Sequence, residues 1–97
     1  MKSCVFAGTF DPLTNGHKFV IDKCLDLFDN VVIAVGINVD KEPAFSLIDR
    51  KEMIKRTFDN NPKITIETFS GMLTSFMKER EIFVNVRGIR DEHDYNY

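Results

Sequence analysis

The residues with the clearest capacity for chemistry stand together near the start of the chain, in the run Gly8-Thr9-Phe10-Asp11-Pro12-Leu13-Thr14-Asn15-Gly16-His17. A short apolar stretch precedes this run and a helical pattern follows it. The first N–H groups of a helix lack intrahelical partners, and the helix dipole favours negative charge there. Gly8 and Gly16 permit close approach and unusual backbone conformations, and His17 adds a side-chain donor. The pattern predicts a phosphate site, and residues 8–17 are called the glycine loop below.

Other candidate groups are dispersed along the chain. Thr9 offers a hydroxyl and a backbone N–H, with ordinary turn formation as the alternative. Arg87 and Arg90 flank a glycine and could grip phosphates as planar donor forks, or pair with the acidic residues that follow them. Lys41 lies in a polar loop, where most lysines are simply solvated. His17 also has an alternative role, as a helix-start histidine satisfied by nearby backbone.

The composition suits a single domain and argues against several classes of protein. Of the 97 residues, 43% are hydrophobic and 29% are charged, which disfavours disorder. A net charge of −2 gives no general attraction for nucleic acid or acidic membranes, so local groups must hold any phosphorylated substrate. No apolar run approaches the roughly 18 residues of a membrane span, and the N-terminus lacks the layout of a signal peptide. We therefore expect a cytoplasmic protein in which Cys4 and Cys24 are buried free thiols.

Two kinds of chemistry have no support in the residue pattern. No spacing of His, Cys and carboxylate residues suggests a structural metal site. No set of Ser, His and Asp suggests covalent catalysis.

Strand and helix patterns alternate along the sequence. Apolar runs predict strands at 2–7, 31–37 and 82–86, and alternation of apolar and polar residues predicts a strand at 63–69. Apolar residues at helical spacing predict helices at about 15–28 and 46–58, with Ser46 as the second N-cap, and a third helix after Ser70-Gly71.

This alternation favours an α/β fold, with a doubly wound parallel sheet in the strand order 3-2-1-4. Strands 1 and 4 are then neighbours at the point where the strand order reverses. Ligands of open α/β sheets bind outside the carboxyl ends of the strands at this switch point. The glycine loop leaves strand 1 and residues 87–90 leave strand 4, so the predicted topology brings the two chemically suspected loops together.

The glycine loop, with the pattern G-T-F-D-P-x-T-x-G-H directly after a strand, resembles the signature of nucleotidyltransferases with a Rossmann-like fold. Many relatives carry a second His at the position of Thr14. With Thr at this position, the motif resembles that of the phosphopantetheine adenylyltransferase family in particular. Three later segments resemble the same family and follow in its order: Lys41-Glu42-Pro43-Ala44-Phe45-Ser46 with Arg50, Phe69-Ser70-Gly71-Met72-Leu73, and Arg87-Gly88-Ile89-Arg90 followed by Asp94-Tyr95-Asn96-Tyr97. The four motifs cover essentially the whole chain.

The resemblance implies adenylyl transfer from ATP to 4′-phosphopantetheine, giving dephospho-coenzyme A and pyrophosphate, with Mg²⁺ accompanying the triphosphate. His17 would stabilise the α-phosphate, while Thr9 and Lys41 would orient the attacking phosphate. The other implied contacts are Met72, Leu73 and Arg87 on the side of phosphopantetheine, and Thr9, Phe10, Gly88, Ile89 and Arg90 on the side of ATP. Catalysis would depend on positioning and electrostatics without a covalent enzyme intermediate. The family also implies a homo-oligomer, a hexamer.

The chain departs from the family pattern at two places. Ala7 stands where many members have Pro, and the sequence stops at Tyr97, before the family's fifth strand and the helix start that holds the triphosphate. We therefore expect residues 1–97 to form a single nucleotidyltransferase-like domain that is C-terminally incomplete, with strand 4 as an exposed edge. The alternatives are a catalytically incompetent phosphate- or pantetheine-binding fragment, and another small nucleotidyltransferase such as a cytidylyltransferase. Thr14 and the residues from Arg87 to Tyr97 argue against the cytidylyltransferase.

Overall fold

A computed structural model describes residues 2–87 of the chain. Within this range, strands and helices alternate as the sequence predicts. Their bounds are β1 Ser3–Gly8, α1 Asn15–Leu27, β2 Asn30–Gly36, α2 Leu47–Thr57, β3 Ile64–Phe69, α3 Leu73–Arg80 and β4 Asn85–Val86.

The strands form one parallel sheet in the order β3-β2-β1-β4, which confirms the predicted doubly wound arrangement. β1 pairs with β2 from Ser3↔Asn30 to Gly8↔Val35, and β2 pairs with β3 from Val31↔Ile64 to Gly36↔Phe69. All strands run the same way, so their carboxyl ends share one edge of the sheet, called the carboxyl edge below. The glycine loop leaves β1 at this edge, next to the end of β4.

Both faces of the sheet are covered because successive side chains of a strand point to opposite sides. Cys4 and Phe6 pack on one face with buried residues of α1 and α2, such as Ile21 and Ile54. Alternate residues of β1 and β2 pack on the other face against buried side chains of α3, in a cluster of Val5, Val32, Ala34, Phe76 and Met77. This two-sided burial explains why β2 is a continuous apolar run rather than an alternating one.

β4 is shorter than the sequence predicts. A strand is expected at 82–86, but only Asn85 and Val86 pair with β1, opposite Val5 and Phe6. The Val84 carbonyl still accepts a hydrogen bond from the Val5 N–H at 2.9 Å, whereas the Phe83 side chain is 76% exposed. Among residues 2–87, β4 has a partner on one side only, so the apolar residues before it lack a second strand to pair with.

The two cysteines are buried free thiols, as predicted. Cys4 lies on β1 and Cys24 on α1, in the same apolar cluster. Burial is the main reason that the pKa of the Cys4 thiol rises to about 12, and the neighbouring Cys24 adds to the shift. Burial likewise raises the pKa of Cys24.

Across residues 2–87, none of the helices combines the length and the apolar character needed to cross a membrane.

Candidate active site

A cavity of about 350 Å³ lies at the carboxyl edge, between the ends of β1 and β4. We call it the switch-point cavity. Its lining joins the glycine loop to the start of α3 and to the residue after β4, and includes Gly8, Thr9, Gly16, His17, Leu73 and Arg87. Four of the predicted site residues, on three separate segments, therefore surround one space.

A second cavity of about 420 Å³ lies beside the first, at the ends of β2 and β3. Its lining includes Gly36, Asn38, Val39, Phe69, Ser70 and Gly71. Thr9 lines both cavities. The end of β1 is therefore the place where the two spaces adjoin, and a molecule occupying one would meet a molecule in the other near Thr9.

His17 is fixed by the residue that begins its helix. The Thr14 side chain caps α1 by accepting a hydrogen bond from the His17 N–H at 3.3 Å. In return, the Thr14 N–H donates to Nδ1 of His17 at 3.0 Å, and the Thr14 hydroxyl lies 3.0 Å from the same nitrogen. A ring nitrogen that accepts from an N–H carries no hydrogen, so the neutral imidazole has its hydrogen on Nε2.

The Thr14 contact is the kind expected of a helix-start histidine that is satisfied by nearby backbone. The backbone contact is present, but it uses Nδ1 and assigns the donor role to the other nitrogen. The His17 ring also packs edge-on against Phe10, with ring centroids 4.8 Å apart, and against Phe6 at 6.2 Å. The ring is thus oriented from two sides while it lines the switch-point cavity.

The unusual backbone conformation of the glycine loop falls on Phe10 rather than on Gly8 or Gly16. Phe10 has a φ of 49°, which bulky residues rarely adopt, and its side chain is 1% exposed. Burial of the ring in the core keeps the residue in this conformation. Any contact between Phe10 and ATP would therefore come from its backbone. Gly8 has a packing role, since an added Cβ would lie 3.3 Å from the Phe10 ring.

Arg50 holds the ends of two strands together. It is 5% exposed, and its Nη1 donates to the Thr9 carbonyl at 3.0 Å and to the Gly36 carbonyl at 3.4 Å. Its Nε is buried and has no hydrogen-bond partner among the described residues. Arg50 thus fixes the backbone position of Thr9 from beneath the site.

Three predicted site residues line neither cavity, namely Phe10, whose side chain is buried, Lys41 and Met72. Lys41 is exposed on the loop of residues 37–45, which we call the lysine loop, and does not line either space. Met72 is 70% exposed and lines neither. Gly88, Ile89 and Arg90 lie outside the described residues. The acceptor side of the predicted site is therefore represented in the switch-point cavity by Thr9, Leu73 and Arg87.

Sequence reasoning missed the supporting roles of three residues. The sequence pattern singles out Thr14 only for its family resemblance. A Thr three residues before a side chain that can bond back to it is, however, also a recognisable helix-capping signal. Asp11 accepts hydrogen bonds from the backbone of the lysine loop, and Arg50 reaches across 41 residues to Thr9. No local sequence pattern predicts either of these long-range contacts.

Other features of the described chain lie away from this chemistry. A cavity of about 260 Å³ is lined by α2 and by the beginning of β3, including Lys51, Lys55, Phe58 and Ile64, and is therefore remote from the carboxyl edge. No group of three or more His, Cys, Asp or Glu residues within 2–87 is placed to hold a metal ion.

Comparison with known families places the chain in a class. The model of the cytidylyltransferase-like family matches residues 5–92. The chain therefore belongs to the cytidylyltransferase-like family, and by family it is a nucleotidyltransferase.

Curated relatives give a finer likeness. The chain is 41% identical to the phosphopantetheine adenylyltransferase of Christiangramia forsetii over 97 residues, all of this chain and 64% of the relative. It is 37% identical to the enzyme of the same name from Flavobacterium johnsoniae, again over 64% of the relative, and 39% identical to that from Clostridium tetani, over 61%. The chain spans roughly three fifths of the length of these relatives.

A solved structure shows the same fold. The bifunctional NMN adenylyltransferase/ADP ribose pyrophosphatase of Francisella tularensis, complexed with AMP and a Mn ion, aligns with a TM-score of 0.67 at 17% identity. The alignment covers 96% of this chain and 39% of the other.

Proposed function

We propose that this chain carries the acceptor-binding and transfer-stabilising part of an adenylyltransferase that joins ATP to 4′-phosphopantetheine, giving dephospho-coenzyme A and pyrophosphate. The observation that carries the proposal is the meeting of Thr9, His17, Leu73 and Arg87 around one cavity. The 37–41% identity to phosphopantetheine adenylyltransferases supports the choice of substrates.

In this reaction, a phosphate oxygen of the acceptor attacks the α-phosphorus of ATP. The bond from that phosphorus to the bridging oxygen breaks, and pyrophosphate leaves with the bond's electron pair. The protein has no covalent bond to make, so it acts by placing the two phosphates and by stabilising the charge that develops.

His17 is the group best suited to the developing charge. The hydrogen on Nε2 donates to an oxygen of the α-phosphate, and the Thr14 contact keeps the ring in the tautomer that this requires. The first turn of α1, which begins beside the same cavity, adds the positive end of the helix dipole.

Thr9 and Arg87 are the groups best suited to the acceptor phosphate. Thr9 stands where the two cavities adjoin, and Arg87 supplies a planar fork of donors. Leu73 supplies apolar surface for the pantetheine arm. Lys41 would join them from the lysine loop once the phosphate is bound.

Mg²⁺ belongs to this proposal as a partner of the triphosphate. Because the described residues offer no cluster of metal ligands, the ion would be held mainly by the phosphate oxygens of ATP. It would supply charge neutralisation. By resemblance, the proposal extends to a cytoplasmic location and a hexameric assembly, and the incomplete single domain predicted for residues 1–97 remains a prediction.

A comparison of nucleotides and acceptors tests the proposed function. Pyrophosphate release is measured with ATP or CTP, each with 4′-phosphopantetheine or with pantetheine, which lacks the attacking phosphate. We expect release only with ATP and 4′-phosphopantetheine together. Preference for CTP would replace the proposal by cytidylyl transfer. Binding of 4′-phosphopantetheine without any release would identify a binding module instead.

A further inference from the structure

Asp11 connects the two loops that carry the proposed transfer residues. One carboxylate oxygen accepts a hydrogen bond from the Ala44 N–H at 2.7 Å, and the other accepts one from the Phe45 N–H at 2.8 Å. Both distances are at the short end for N–H···O bonds, as expected when the acceptor is ionised. Asp11 lies two residues after Thr9 in the glycine loop, and Ala44 lies three residues after Lys41 in the lysine loop.

The lysine loop is held at its two ends and by one internal turn. At its start, the Ile37 N–H donates to the Phe69 carbonyl at 2.9 Å. Within it, the Lys41 N–H donates to the Asn38 carbonyl at 3.2 Å. At its end stands the Asp11 contact, immediately before Ser46 caps α2. Lys41 itself is exposed, so its approach to the site depends on where these anchors place the loop.

An acidic residue in a loop that holds phosphates needs a physical reason. A carboxylate near bound phosphates repels them, since like charges disfavour each other. The two backbone N–H groups engage the Asp11 charge and offset that repulsion. A neutral side chain would avoid the conflict but could not accept two bonds so strongly.

We propose that Asp11 is a positioning residue, whose carboxylate holds the lysine loop against the glycine loop and so sets the place of Lys41 relative to Thr9. This inference rests on the proposed function, because it concerns the same transfer reaction. Asp11 touches no substrate in this scheme and acts through the loop that carries Lys41.

Asp11→Asn tests the inference with little change in shape. The amide retains one acceptor oxygen, but its NH₂ group faces one of the two N–H donors, so one bond is lost. In the full chain, we expect kcat for pyrophosphate release from ATP and 4′-phosphopantetheine to fall about 10- to 100-fold. Small misplacements of reacting groups lower reaction rates by this amount. Asp11→Glu keeps both acceptor oxygens and should recover part of the loss.

A double-mutant comparison separates positioning from a general structural effect. In a chain that already carries Lys41→Ala, adding Asp11→Asn should cost less than about threefold, because the residue through which Asp11 acts is gone. Equal losses in both backgrounds would overturn the inference. Should Asp11→Asn fail to fold, Asp11→Glu carries the same comparison.

Asp40→Asn is the matched control. It removes one negative charge, as Asp11→Asn does, from the residue next to Lys41. Within residues 2–87, the bonds between the glycine loop and the lysine loop are made by Asp11, and the Asp40 carboxylate takes no part in them. We expect near-normal kcat, and a loss as large as that of Asp11→Asn would overturn the inference. If the unaltered protein turns over and Asp11→Asn has the same kcat, the positioning role alone is overturned. If the unaltered protein shows no turnover, the proposed function is overturned and this role with it.

Discussion

The Thr14 N–H donates a hydrogen bond to Nδ1 of His17 at 3.0 Å, while the Thr14 side chain accepts one from the His17 N–H. A single reciprocal contact therefore begins α1 and fixes the tautomer of the imidazole in the switch-point cavity. Helix capping and the proposed chemistry depend on the same two residues. Their contributions can be separated by substitution.

His17→Ala should lower kcat for pyrophosphate release by about 10²- to 10³-fold, the typical effect of removing one donor from a developing phosphate or oxyanion charge. Lys18→Ala is the control, because Lys18 pairs with Asp22 on the exposed side of α1 and lines neither cavity. Steady-state kinetics of both variants provide the measurement. A His17→Ala variant that turns over at the unaltered rate would remove His17 from the mechanism.

Thr14→Ala should destabilise the protein by about 1 kcal/mol, the usual cost of losing an N-cap side chain. The same change removes the hydroxyl beside Nδ1, so we expect kcat to fall severalfold, roughly in line with one weakened hydrogen bond. Thr14→Ser keeps the hydroxyl and should restore both quantities. Urea unfolding and kinetics measure the two effects, and an identical result for Ala and Ser would contradict the capping role.

The order of the fold could be predicted because it depends on local patterns. Continuous apolar runs such as 31–35 and period-two runs such as 64–69 mark strands that are covered differently, and handedness then restricts how they are arranged. The meeting of Thr9, His17 and Arg87 follows from that arrangement, without knowledge of any side-chain contact. Thr14 as a cap was also within reach, since its partner is three residues away.

The supporting contacts could not be predicted because nothing local determines them. In the sequence, Arg50 looks like any arginine in a helix. It reaches the Thr9 carbonyl only because the fold packs α2 against the ends of β1 and β2. Asp11 likewise finds partners 33 and 34 residues away. The shortness of β4 is a similar case, because apolar residues at 82–84 predict a strand whether or not neighbours on both sides are present.

Arg50→Met should lower the free energy of unfolding by about 1–2 kcal/mol. The change leaves the Thr9 and Gly36 carbonyls without their charged donor, and removal of the unpartnered Nε offsets part of that loss. Arg56→Met is the matched control in the same helix, since the Arg56 side chain is 82% exposed and its ion pair with Glu52 is long, at 4.0 Å. It should change stability by less than about 0.5 kcal/mol. Equal effects of the two substitutions, measured by urea unfolding, would contradict the strand-joining role of Arg50.

The cysteines should make stability fall in alkaline solution. The pKa of Cys4 is about 12 in the folded chain against an ordinary value of 9.0, so between these pH values the folded state keeps a proton that the unfolded state releases. The stabilisation is complete below pH 9 and is lost as pH rises toward 12, with a slope of up to about 1.4 kcal/mol per pH unit. Unfolding of the unaltered chain and of Cys4→Ala at pH 8 and pH 10.5 provides the measurement. Between these two pH values, we expect the unaltered chain to lose more stability than Cys4→Ala. Equal losses in the two proteins would contradict the raised pKa of Cys4.

The most direct measurement is calorimetric titration of the 97-residue chain with 4′-phosphopantetheine and, separately, with pantetheine. In the proposed function, Thr9 and Arg87 receive the acceptor phosphate at the carboxyl edge of the sheet. We expect saturable binding of 4′-phosphopantetheine and at least about tenfold weaker binding of pantetheine, since charge-assisted hydrogen bonds to the phosphate would be missing. Equal affinity for the two compounds, or no binding of either, would contradict the account.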